Sequence, residues 1–171
     1  MKIQVAILMG SDSDLQVMAE AAQFLDEIGI SNEVQVISAH RTPSQTTEFA
    51  RKAKNLGIKV IIAGAGGSAA LPGVIAAYTT IPVIGVPIKS KSLDGIDSLL
   101  SIAQMPPGVP VATVGINAAK NAAILSSEII ATCDSKVAKK LDNYKKQQSE
   151  VVIKKNTKLQ KIGWSKYLKD K

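Results

Sequence analysis

Short apolar runs alternate with longer amphipathic stretches along this chain. Ile3–Met9 is apolar at every position except Gln4, as a strand buried on both faces should be. Leu15, Met18, Ala22 and Leu25 then recur at helical spacing. Ser13 opens that helix, with Gln16 placed as in a capping box, and Gly29 stops it. Asn32–Ser38 predicts a second strand with Val34, Val36 and Ser38 on one face. Thr42-Pro43 starts a second helix, its inner face Phe49, Ala53 and Leu56 and its cap Gly57. Lys59–Ala63, Ile81–Val86 and Val109–Val114 predict three further strands. Leu71–Tyr78, Leu93–Gln104, Asn117–Thr132 and Ser135–Ser149 predict helices between and after them.

Strand and helix in alternation mean crossover units. The fold class is therefore α/β, with a parallel, flavodoxin- or Rossmann-like sheet covered by helices on both faces. At 171 residues the chain is expected to form one domain, over 1–150. Residues 151–171 are a Lys-rich extension, too weakly patterned to be assigned an element. Residues 68–77 and 117–131 are rich in Ala, Ser and Gly and lack the polar face of a surface helix. Such small-residue helices suit burial between subunits; the plainer reading is a helix tucked inside its own chain.

Composition narrows the chemistry. Cys133 is the single cysteine and His40 the single histidine, so an intramolecular disulfide, a cysteine cluster and a His-x-x-x-His zinc site within one chain are excluded. Any imidazole acid–base step has one candidate. The net charge of +7 divides unevenly: residues 135–171 hold 12 lysines against three acids, a net of +9, and residues 1–134 carry a net of −2. No basic groove is expected on the body, and nucleic acid is not an expected partner. The apolar start ends at Met9 and is followed by glycine and acids, unlike a signal peptide, and no stretch has the length and character of a membrane span. A cytoplasmic protein is expected.

In an open parallel sheet, ligands bind beyond the carboxyl ends of the strands. Three predicted strand ends carry Gly and polar residues. Gly10-Ser11-Asp12-Ser13-Asp14 offers hydroxyls and helix-start N–H groups, and its carboxylates suit ribose hydroxyls better than a bare phosphate. Ser38-Ala39-His40-Arg41-Thr42-Pro43 pairs a residue that moves protons near neutral pH with one that binds phosphate through two donors. Gly64-Ala65-Gly66-Gly67-Ser68-Ala69 matches a dinucleotide fingerprint only formally. It follows the third strand, and no acid stands at the end of the fourth to hold a ribose. Its use lies in backbone N–H groups that approach a carboxylate closely.

Taken together and in order, these loops resemble the signature loops of the N5-carboxyaminoimidazole ribonucleotide mutase (PurE) family of purine biosynthesis. The resemblance continues through Leu71-Pro72-Gly73, Pro82–Pro87, Ser92–Ile102, Gln104-Met105-Pro106 and Pro110–Thr113, and covers residues 3–150. It implies a three-layer α/β/α sandwich, a homo-octamer with sites at subunit contacts, and no metal or organic cofactor. It implies a carboxylated aminoimidazole ribonucleotide as substrate, with Ser11, Asp14 and Arg41 binding the nucleotide and His40 as proton carrier. Ser38, Ala39, Ala70 and Leu71 are further expected contacts, and the Gly64, Gly66 and Gly67 stretch is expected to hold the migrating carboxyl group. Ala70 stands where the family usually has His, and the Val114–Asn121 stretch is shorter than usual. These departures make a subclass that carboxylates the bare ribonucleotide with free carbon dioxide the alternative reading. A non-catalytic nucleotide-binding homologue, with the Lys-rich tail and Trp164 and Tyr167 as a contact surface, is the alternative from a different class.

Overall fold

The computed structural model describes residues 2–170. Val5–Met9 (β1), Asn32–Val36 (β2), Val60–Gly66 (β3), Val83–Ile88 (β4) and Ala112–Thr113 (β5) form one sheet in the order β2-β1-β3-β4-β5, with all neighbours parallel. The helices are Leu15–Ile28 (α1), Pro43–Leu56 (α2), Leu71–Tyr78 (α3), Ile96–Ala103 (α4), Ala119–Ala131 (α5), Ser135–Ile162 (α6) and Trp164–Lys169 (α7).

Strand geometry explains the three layers. Side chains alternate between faces, so Val5, Ile7 and Met9 of β1 enter the core beneath α1 and α5, while Ala6 and Leu8 enter the core beneath α2, α3 and α4. All residues of β1 and β4 are buried, which is why these strands read as unbroken apolar runs rather than alternating ones. On the edge, Val34 and Val36 of β2 remain 41% and 55% exposed.

Several boundaries differ from the sequence reading. The helix start moves: Ser11 caps a single 3-10 turn at Asp12–Asp14 by accepting from the Ser13 N–H at 3.3 Å, and α1 begins only at Leu15. Ser13 donates its hydroxyl to Asp14 Oδ1 at 3.1 Å and forms no capping box, because the tighter turn has already taken up the first free N–H groups. The buried face of α2 is Thr46, Ala50 and Ala53, with Phe49 beside it; Leu56 lies at the last turn and is 53% exposed. β4 runs two residues further than expected, to Ile88, and β5 shrinks to Ala112–Thr113.

The small residues of α5 are used inside the chain. Ala119, Ala122, Ala123, Ser126, Ser127 and Ile130 are buried, and Ser126 and Ser127 donate to the Ala123 carbonyl at 2.8 and 2.7 Å. α5 is thus wedged between the sheet, α1 and α6, which accounts for its lack of a polar face without a second subunit. α3 differs: Leu71, Pro72 and Ile75 point inward, but Val74, Ala77 and Tyr78 on its other sides are apolar too.

The extension has structure. Asp134 caps α6 by accepting from the N–H groups of Lys136 and Val137, at 3.0 and 3.2 Å. Val137 and Leu141 are buried, Tyr144 packs edge-on against Phe24, and Lys140 Nζ donates to the Ile28 carbonyl at the end of α1. The helix then continues past residue 150 to Ile162, about 42 Å in all for its 28 residues. The weak pattern misled because this outer half buries little and needs only propensity: between Ser149 and Gly163 there is no Gly or Pro, and Lys and Gln favour helix. Among the described residues no helix is long and apolar enough to cross a membrane.

Candidate active site

The strand order places a crevice. From β1 the chain crosses one way to β2 and then returns past β1 to β3 on its other side, so the loops after β1 and β3 leave toward opposite faces of the sheet and open a gap between them. A cleft of about 720 Å³ opens there, walled by residues that follow all five strands.

The loop after β2 is the most firmly built wall. Ile37 N–H still donates to Met9 O at 2.8 Å, holding this loop beside β1. Ser38 and Thr42 then close a turn: Thr42 N–H and Oγ1 donate to Ser38 O at 2.8 and 3.0 Å, and Ser38 N–H donates to Thr42 Oγ1 at 3.0 Å. Pro43 at the first turn of α2 costs no hydrogen bond, because its missing N–H would have no helical partner. The turn carries Ala39, His40 and Arg41 to the cleft. Arg41 is fixed twice over: Nε donates to Ser38 Oγ at 3.3 Å and Nη2 to Gly10 O at 2.6 Å. His40 is exposed and has no hydrogen bond from its ring among the described residues, so both nitrogens can reach a ligand.

Across from it, Ser11 and Asp14 project from the turn after β1. Burial raises the Asp14 carboxyl above the ordinary aspartate range, the Ser13 hydroxyl pulls it back, and the neighbouring Asp12 carboxylate raises it further. An acceptor that is costly to keep charged gains by receiving donors, as ribose hydroxyls would supply.

The third wall is the turn after β3. Gly67 has φ of +61°, which glycine adopts freely, and Ala69 is held at φ of +28° while its N–H donates to Gly66 O at 3.2 Å. Gly66, Gly67, Ala70 and Leu71 all line the cleft. Gly64 does not. It is buried within β3, opposite Met9, and a side chain there would collide with the Met18 sulfur. Its role is to let α1 lie close on the sheet.

Of the residues the sequence pointed to, Ser11, Asp14, Ser38, Ala39, His40, Arg41, Gly66, Gly67, Ala70 and Leu71 therefore meet in one cleft, and Gly64 lies beneath it. Sequence reasoning missed Lys89, Ser90, Lys91 and Asn117. The first three follow β4, whose end was expected two residues early, so the strand-end rule was applied to the wrong position. Asn117 has φ of +57° and accepts from the Lys89 N–H at 2.9 Å through Oδ1, and no local motif marks it. Among the described residues no group of three or more His, Cys, Asp or Glu could hold a metal ion.

The family profile described as AIR carboxylase matches residues 4–151, from the start of β1 into α6. The chain belongs to the AIR carboxylase family. Within that family it is 58% identical to the N5-carboxyaminoimidazole ribonucleotide mutase of Pyrococcus abyssi, over 96% of this chain and 95% of the relative. It is 55% identical to the protein of the same name from Pyrococcus horikoshii, over 97% of this chain and 94% of the relative. These matches leave out at most a few residues, so the tail that the family profile omits is largely shared with both relatives. The crystal structure of Treponema denticola PurE superposes with a TM-score of 0.84 at 31% identity, covering 91% of this chain and 98% of that one. Membership of the AIR carboxylase family agrees with the three-layer architecture and the cleft at its sheet switch.

Proposed function

We propose that this chain is an isomerase of purine biosynthesis that converts N5-carboxyaminoimidazole ribonucleotide to 4-carboxy-5-aminoimidazole ribonucleotide. The observation that carries this reading is the convergence of His40, Arg41, Ser11, Asp14 and the Gly66-Gly67 turn in one cleft. The mutase names of its full-length relatives support it.

The residues fit the chemistry. Arg41 and the Ser11 hydroxyl take the phosphate, Asp14 accepts from the ribose, and the ring lies toward the β3 turn. His40 gives a proton to the exocyclic nitrogen. The bond from that nitrogen to the carboxyl carbon breaks, carbon dioxide leaves, and the bonding pair stays on nitrogen. Ring carbon 4, an enamine carbon, then attacks carbon dioxide and forms the new carbon–carbon bond. His40 takes the proton from carbon 4 and the ring regains aromaticity, so one imidazole ends as it began. Backbone donors at Gly66 and Gly67 hold the carboxyl group while it is free. No step calls on a cofactor.

The reading extends to a cytoplasmic homo-octamer. The apolar outer side of α3 and the exposed Val34 and Val36 of β2 support burial between copies. Light scattering should give eight times the 18.0 kDa chain mass, and a monomer at micromolar concentration would remove this part.

The deciding experiment offers the purified protein two substrates, the N-carboxylated ribonucleotide and the bare aminoimidazole ribonucleotide with bicarbonate. Accelerated conversion of the first is expected. Acceleration of the second alone would make the protein a carboxylase, and no acceleration of either would make it a non-catalytic homologue.

A further inference from the structure

We infer that Lys91 is the second anion anchor of the cleft, binding the carboxylate on the imidazole while Arg41 holds the phosphate at the other end. This rests on the mutase reading above and adds a residue to it.

Ile88 is in register with Gly66, so the turn beginning at Gly67 and the loop beginning at Lys89 leave the sheet side by side. The second loop is fastened at both roots. Ser98 Oγ donates to Ile88 O at 2.7 Å and Gly95 O at 3.0 Å, Asn117 Oδ1 accepts from Lys89 N–H, and Ser90 Oγ donates to Asp97 Oδ1 at 2.9 Å. Two ammonium groups stand between these clips, and they differ. Lys89 Nζ is 2.9 Å from Asp94 Oδ1, so its charge is matched within the loop. Lys91 lines the cleft and has no carboxylate partner among the described residues.

Sheet order sets the span between the two cations. Arg41 follows β2 and Lys91 follows β4, three strand positions away, or roughly 14 Å at strand spacing before either side chain reaches inward. A ligand with one anionic group needs one of them. The mutase substrate has two, a phosphate at one end and a carboxylate at the other. Ala70, in the wall beside this loop, offers no side-chain donor to the carboxylate. A flexible ammonium suits a group that must be held first on nitrogen and then on carbon, because it follows as a point charge rather than as a fixed fork.

The test compares ligands with and without the carboxylate. Affinities are measured for 4-carboxy-5-aminoimidazole ribonucleotide and for aminoimidazole ribonucleotide, using the unsubstituted protein, Lys91→Gln and Lys91→Arg. Lys91→Gln should weaken the carboxylated ligand by about tenfold or more and the bare ribonucleotide by less than about twofold, the mark of a charge-assisted bond to the missing group. Lys91→Arg should restore most of the difference. Equal weakening of both ligands, or of neither, overturns the assignment. Turnover by the unsubstituted protein separates the two claims: if it converts the N-carboxylated substrate and the Lys91 variants show no selective loss, only this inference falls. If it neither converts that substrate nor binds the carboxylated product, the mutase reading falls and takes the anchor with it.

Discussion

Arg41 Nη2 donates to the carbonyl oxygen of Gly10 at 2.6 Å, joining the loop after β2 to the loop after β1 across the mouth of the crevice. The same guanidinium uses Nε on Ser38 and leaves Nη1 without a partner among the described residues. It is held in place before any ligand arrives, so little side-chain freedom remains to be lost on binding.

Arg41→Ala should weaken the ribonucleotide by about 1.5–3 kcal/mol, the range for hydrogen bonds to a charged group. The phosphate-free nucleoside should be much less affected. Calorimetric titration of both ligands checks this, and equal losses would place the phosphate elsewhere.

His40→Asn should bind the ribonucleotide within a few fold and lose on the order of 100-fold or more in turnover, as expected for removal of an acid–base group. His40 is exposed, so its substitution removes no core packing, and circular dichroism verifies that the comparison is made on folded protein. Near-normal turnover would assign the proton transfers to another group.

Asp14→Asn should be at least as stable as the unsubstituted chain at neutral pH, yet poorer at binding. Because the folded-state pKa of Asp14 is raised, mainly by burial, the folded chain binds its proton more readily than the unfolded chain. The charged form therefore costs stability above the folded pKa, and the cost disappears as pH falls below the unfolded value. Melting temperatures measured against pH should show the Asn variant's advantage shrinking in acid; an advantage that grows in acid would contradict the raised pKa.

Gly64→Ala should destabilise the fold by about 1–3 kcal/mol through overpacking, toward the low end because Met is adaptable. Combining it with Met18→Ala should cost less than the sum of the two single changes, since the new methyl would enter the space the Met18 side chain vacates. Denaturant midpoints of the four proteins measure this, and strict additivity would mean that the two side chains do not meet.

What was legible in the sequence followed from strong local signals. Gly29 and Gly57 end helices with φ of +77° and +90°, and Pro43 opens one, so both ends of α2 could be read. The His40-Arg41 pair could be placed at a strand end because Ile37 and Thr42 bracket it. Lys89 and Lys91 escaped because β4 is apolar through Pro87 and Ile88, and a proline in a buried strand looks like a terminator. Asn117 escaped because its backbone angle is set by contacts with Pro87 and Lys89, far away in sequence. Gly64 was drawn into the loop by its glycine neighbours, although the need for it comes from Met18 on another element.

The long α6 is anchored on one side only. Through Tyr144 it rests on Phe24 and α1, and Lys145 Nζ pairs with Glu128 Oε1 of α5 at 2.8 Å; beyond that, its exposed turns have backbone hydrogen bonds and a few contacts with α7. A free peptide of that outer sequence would face the steep nucleation penalty of a first helical turn. Here the anchored turns are a permanent seed, so each further residue only has to propagate. In a single chain the outer half behaves as a zipper with one fixed end: it frays inward from Gly163, and the seam from Leu141 to Lys145 sets where the unzipping stops.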